Sequence, residues 1–139
     1  MLLRTPSNRV SNCESAGMTP APFPKHILVV DDAPYLRDLI MNVLRAAGHE
    51  VAAAVDGRDG LVKFREGTWD VVLTDMQMPN MNGEEMAALM KREAPGVRVI
   101  MMTGSQEIVS ETGIFDAVLG KPFRAQDVLR LIAEMTSQE

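Results

Sequence analysis

Apolar and polar positions along this chain fall into two alternating kinds of block. One kind is short and continuously apolar. It begins with HILVV at residues 26–30 and recurs as EVAAAV (50–55), DVVLT (70–74), VRVIMM (97–102) and AVLG (117–120). Runs of this length, rich in valine and isoleucine and without polar alternation, read as strands buried on both faces. The other kind repeats its apolar residues at helical spacing. Residues 33–48 carry Leu36, Leu39, Ile40, Val43 and Leu44, with Pro34 suited to the first turn and Gly48 to the end. Residues 56–67 carry Leu61, Val62 and Phe64, and residues 125–138 carry Val128, Leu129, Ile132 and Met135. Asn82 is placed to cap a helix over 83–94, whose first turn holds Glu84 and Glu85 near its positive end. A short helix fits residues 105–112.

Strand and helix therefore alternate through the chain, which predicts an α/β domain: a doubly wound sheet of five parallel strands with five helices on its two faces. Residues 1–25 do not share the pattern. They hold Pro6, Pro20, Pro22 and Pro24 with several serines and asparagines, and too little apolar surface to offset the entropy of ordering. The expected organisation is a flexible N-terminal tail over 1–25 and one domain over 26–139.

Composition narrows the partners. The 139 residues are 46% hydrophobic and 24% charged, enough for one sizeable core, and the net charge is −5. Arg4, Arg9 and Lys25 against Glu14 give the tail +2, which leaves −7 on residues 26–139. Nucleic acids and anionic membranes are polyanions, so metal cations and basic protein surfaces are better partners for this domain. No apolar stretch approaches the roughly 18 residues of a membrane span, and residues 1–17 lack the apolar middle of a signal peptide. Cys13 is the one cysteine, so no intrachain disulfide forms, which fits a cytoplasmic protein.

The candidate chemistry lies where the strands end. In an open parallel sheet, ligands bind beyond the carboxyl ends of the strands. The first run ends at Asp31-Asp32, the third at Asp75, the fourth at Thr103 and the fifth at Lys121. Taken singly, each of these is an ordinary turn residue, helix cap or solvated charge. If the first run is central and the third is its neighbour, three carboxylates meet at one rim. At about 5 Å and an effective dielectric near 20, each like-charged pair repels by ~3 kcal/mol, so a cation or a proton must enter. Magnesium suits oxygen ligands and leaves room for phosphate oxygens. A cation, an ammonium and a hydroxyl around an ionised aspartate are the parts needed to carry a phosphoryl group.

At these residues the chain resembles the receiver domain of two-component response regulators, of the CheY-like, single-domain kind. The matching pieces are ILVVDD, VVLTDMQMPNMNG, VIMMTG and GKPF, in that order. The resemblance implies a flavodoxin-like strand order of 2-1-3-4-5 and a role for each residue. Asp75 would be the phosphoacceptor. Asp32, Asp75 and the backbone carbonyl of Gln77 would ligate Mg²⁺, with Asp31 helping through the ion's water shell. Lys121 would pair with Asp75 and then with the phosphoryl oxygens, and Thr103 would hydrogen-bond the phosphoryl group. Gln77 and Ser105 would tune the lifetime of the adduct, and the Lys121-Pro122 bond would be cis. The donor would be a sensor histidine kinase or a histidine phosphotransfer protein, the output a protein–protein contact, and the chain itself a signalling phosphoacceptor rather than an enzyme.

Two departures from the family pattern stand out. The usual aromatic three residues before the lysine is Val118 here, which puts the usual output switch in question. The helix expected over 105–112 is short, about two turns, so weak hydrogen-exchange protection and atypical partner recognition are expected around 105–118. The other roles weighed are a phosphate shuttle or sink, a fragment of a hybrid kinase, a receiver that takes no phosphate, and an aspartyl-phosphate hydrolase. The hydrolase needs a second acid two residues after its nucleophile, where this chain has Gln77. Neither GxxxxGK[ST] nor GxGxxG occurs.

Overall fold

The computed structural model describes residues 24–104 and 113–136. Five strands make one parallel sheet: β1 (His26–Val30), β2 (Glu50–Ala54), β3 (Val71–Asp75), β4 (Arg98–Thr103) and β5 (Ala117–Gly120). Their order across the sheet is β2-β1-β3-β4-β5. The described residues contain the helices α1 (Pro34–Ala46), α2 (Gly57–Arg65), α3 (Gly83–Glu93) and α4 (Ala125–Thr136). The helix expected over 105–112 and the tail expected over 1–25, apart from Pro24 and Lys25, lie outside the described residues. Lys25 already joins the sheet, because its carbonyl accepts from the Glu50 amide at 3.0 Å.

The strands lie within a residue or so of the ranges read from the sequence. The register aligns Val30 with Thr74, Asp75 with Met102, and Thr103 with Gly120. That register brings the ends of β1, β3, β4 and β5 to one rim. Alternation along each strand fills two cores. Ile27, Val29, Val71, Leu73, Ile100 and Met102 pack under α1 and α4, through Ile40, Leu44, Val128 and Ile132. Leu28, Val30, Val72 and Val99 pack under α2 and α3, through Leu61, Phe64, Met86 and Met90. Met41, Met86, Met90 and Met102 serve as core packing with Met78, Met81 and Met135 against them, and Met86, Met90, Met101 and Met102 are fully buried.

Local signals end the helices where the sequence places them. Pro34 stands in the first turn of α1, and Gly48, past its end, has φ +97°, which glycine adopts without strain. Asn82 and Glu85 make a reciprocal capping box at α3, with the Asn82 side chain accepting from the Glu85 amide at 2.8 Å.

Candidate functional site

The rim at the carboxyl ends of the strands gathers the acids. Carboxylate oxygens of Asp31, Asp32 and Asp75 all lie within 4.8 Å of one another. Asp31 follows β1 and is fully buried, Asp32 is exposed before α1, and Asp75 is the last, half-buried residue of β3. Asp31 Oδ1 accepts from the Ala33 amide at 2.9 Å. Its Oδ2 is buried with no hydrogen-bond partner among the described residues. Burial pushes the Asp31 carboxyl above the usual aspartate range; the Ala33 amide opposes this, and the neighbouring Asp75 and Asp32 add to it. A buried carboxylate oxygen without a donor, on a residue grouped with two further carboxylates, suits a cation in its chemistry. The three carboxylates therefore fit a hard divalent cation.

Lys121 completes the electrostatics. It follows β5, and its Nζ lies 3.3 Å from Asp75 Oδ1. The same Asp75 oxygen accepts from the Met76 amide at 3.0 Å. The Lys121 backbone amide donates to the Thr103 carbonyl at 2.7 Å, which continues the β4–β5 ladder past the end of β5 and fixes where the lysine leaves the sheet. The Lys121-Pro122 peptide is cis. Thr103, the last residue of β4, is buried at the same rim. Gln77 is exposed, two residues past Asp75 in the loop leading to α3. Ser105 lies outside the described residues.

Val118 is an exposed residue of β5. The two nearby phenylalanines pack elsewhere: Phe115 against the core under α2 and α3, Phe123 against the core under α1 and α4.

Three further residues support the rim, of which Arg37 and Asn80 were not picked out from the sequence. Arg37, in α1, donates from Nη1 to the Asp31 carbonyl at 2.8 Å and so braces the turn that carries the acid pair. Gly83 is needed because a Cβ there would collide with the Asp75 carbonyl oxygen. The start of α3 is thus seated directly on the backbone of the central aspartate, and the Gly83 amide donates to the Met76 carbonyl at 2.8 Å. Asn80 donates to Asp56, the capping residue of α2. The glycine was visible as part of a turn motif. Asn80 meets a partner 24 residues away that only the fold brings close, while Arg37 reaches back six residues along the chain.

With fold and rim established, the class is a doubly wound α/β domain with an acidic rim at the carboxyl ends of its strands, and comparison with known proteins gives the family. Residues 27–133 match the response regulator receiver domain. The chain belongs to that family, the signalling module of two-component systems, in which phosphorylation and magnesium binding are typical. It is 35% identical over 121 residues to the DNA-binding response regulator MtrA of Mycolicibacterium smegmatis, covering 83% of this chain and 52% of that one. It is 31% identical over 118 residues to the chemotaxis protein CheY of Thermotoga maritima, covering 81% of this chain and 98% of that one. The chain thus spans about half the length of the MtrA-type relatives and nearly all of CheY. Among solved structures, a CheY-like receiver domain protein of Methanospirillum hungatei superposes with a TM-score of 0.77 at 32% identity, over 84% of this chain and 97% of that one. The response regulator TrrA of Thermotoga maritima, in complex with Mg²⁺ and BeF, gives a TM-score of 0.75 at 29% identity, over 80% and 98%. Among the described residues, no helix is long and apolar enough to cross a membrane.

Proposed function

We propose that residues 26–139 form a phosphoacceptor that takes a phosphoryl group on Asp75 from a phosphohistidine, carried by a sensor histidine kinase or a histidine phosphotransfer protein. One observation carries this reading: a strand-end aspartate that shares a rim with two further carboxylates and is paired to a lysine ammonium at 3.3 Å. Asp32, Asp75 and the Gln77 carbonyl are the residues to hold Mg²⁺, with Asp31 acting through the ion's water shell. When bound, the ion supplies charge neutralisation for the transferring phosphoryl oxygens. An aspartate carboxylate is itself a nucleophile and needs no separate base. The free oxygen of Asp75 attacks phosphorus, an acyl–phosphate bond forms, the nitrogen–phosphorus bond of the donor breaks, and the imidazole leaves with a proton from solvent. Lys121 then pairs with the phosphoryl oxygens, and the Thr103 hydroxyl donates to one of them. TrrA, solved with Mg²⁺ and BeF, supports the fit of a metal and a phosphoryl-like group in this fold. The acidic balance of the domain favours a protein target over nucleic acid for the phosphorylated state.

The test is incubation with Mg²⁺ and a small phosphoryl donor, followed by intact-mass measurement. Wild type is expected to gain one phosphoryl group and Asp75→Asn none. Multiple-turnover phosphate release would instead mark a hydrolase, and an unmodified wild type would mark a receiver that takes no phosphate.

A further inference from the structure

The loop between β3 and α3, residues 76–82, carries the Gln77 carbonyl assigned above to the metal. Both its ends are fixed by local contacts, through the Met76 carbonyl and the Asn82 cap. Its crown is fixed by a different part of the chain. Asn80 Nδ2 donates to Asp56 Oδ2 at 2.9 Å, across 24 residues of sequence. The other oxygen of the same carboxylate, Oδ1, accepts from the Asp59 amide at 2.8 Å and caps α2. Asn80 reaches this contact with φ +74°, a left-handed backbone that asparagine tolerates better than most residues. One residue on, the Met81 carbonyl oxygen would lie 2.5 Å from a Cβ placed on Gly57, so the loop rests directly on the first residue of α2. A tight turn, with the Met81 amide donating to the Pro79 carbonyl at 2.8 Å, connects the crown to the segment that bears Gln77.

We infer that Asp56 and Asn80 act as a pair of positioning residues, tying the metal-binding loop to the start of α2 so that the Gln77 carbonyl is held in place before the ion arrives. Neither side chain is among those assigned to the ion or the phosphoryl group. Their effect is preorganisation: a ligand held by its neighbours loses less freedom on binding. The inference rests on the proposed metal role of this loop.

Two variants isolate the contact. Asn80→Gly permits the left-handed backbone and removes the amide, while Asp56→Ser, which leaves the loop's own sequence intact, controls for the backbone freedom that glycine adds. Asp56→Ser keeps a side-chain oxygen to cap α2 but is too short to serve Asn80 as well. Calorimetric titration with Mg²⁺ is expected to give a Kd raised about tenfold in either variant. The double variant should be no weaker than the single ones, because both break one contact. Hydrogen exchange in the metal-free protein should speed up at the Met81 and Gly83 amides. Saturating Mg²⁺ should restore the wild-type rate of phosphorylation by a small donor, which a folding defect or a lost reacting group would not allow. Unchanged Mg²⁺ affinity in both variants, losses that add in the double variant, or a rate that stays low at saturating Mg²⁺ would each overturn the pairing while leaving the phosphoacceptor reading intact. A wild type that binds no Mg²⁺ would overturn that reading and this inference with it.

Discussion

Asp31 is the residue on which the electrostatics of the site turn. It is fully buried, has one oxygen served by the Ala33 amide and the other without a hydrogen-bond partner among the described residues, and sits in a group with Asp32 and Asp75. A charge so placed is held there against its own solvation. Replacing it by asparagine should therefore stabilise the metal-free protein, by ~1–2 kcal/mol in urea unfolding. The same change should weaken the stabilisation that Mg²⁺ provides. The pH dependence has a definite sign. Because burial raises the folded-state pKa of Asp31 above the unfolded value, the folded protein binds a proton there that the unfolded chain has already released. Its destabilising effect is absent below the ordinary aspartate pKa and grows as pH rises through the raised value. Without metal, the stability gap between wild type and Asp31→Asn should close on acidification, measured as unfolding midpoints across pH.

At the scale of elements, the site is built from strand ends and helix starts that sequence alone largely reveals. β3 ends in Asp75 because the register brings that position to the rim, and the apolar run before it is plain in the chain. α3 begins at Asn82 because asparagine and glutamate three apart form a capping box. The reason for Gly83 was less plain: it reads as turn chemistry, yet its role is to let the helix approach the Asp75 carbonyl. Asn82→Ala should cost about 1 kcal/mol through the lost cap. Gly83→Ala should cost more, ~1–3 kcal/mol, because backbone must shift to admit a methyl group. It should also displace Asp75 and weaken Mg²⁺ binding, which Asn82→Ala should do far less; urea unfolding and Mg²⁺ titration of both variants check this. The contacts that escaped the sequence did so for different reasons. The Asn80–Asp56 link depends on two segments 24 residues apart meeting, and no local pattern encodes the meeting, whereas the Arg37–Asp31 link spans six residues and turns on which way one side chain of α1 points. The expected Val118 departure remains a departure, since Phe115 and Phe123 are committed to opposite cores.

At the scale of the molecule, the 2-1-3-4-5 order is what turns scattered residues into a site. β1 and β3 are neighbours, so acids 44 positions apart, Asp31 and Asp75, share a rim, and β5 delivers Lys121 to it from the far side. The parallel arrangement was legible from the alternation of blocks. The strand order came with the family resemblance, because nothing in an apolar pentamer states which neighbour it will choose. The most direct measurement locates the phosphoryl group itself. After phosphorylation in Mg²⁺, borohydride reduction converts an aspartyl phosphate to homoserine, and peptide mapping then reads its position. Homoserine at residue 75, absent when Mg²⁺ is withheld, is the predicted result. Homoserine at any other aspartate, or none despite incorporated phosphate, would contradict the assignment of Asp75.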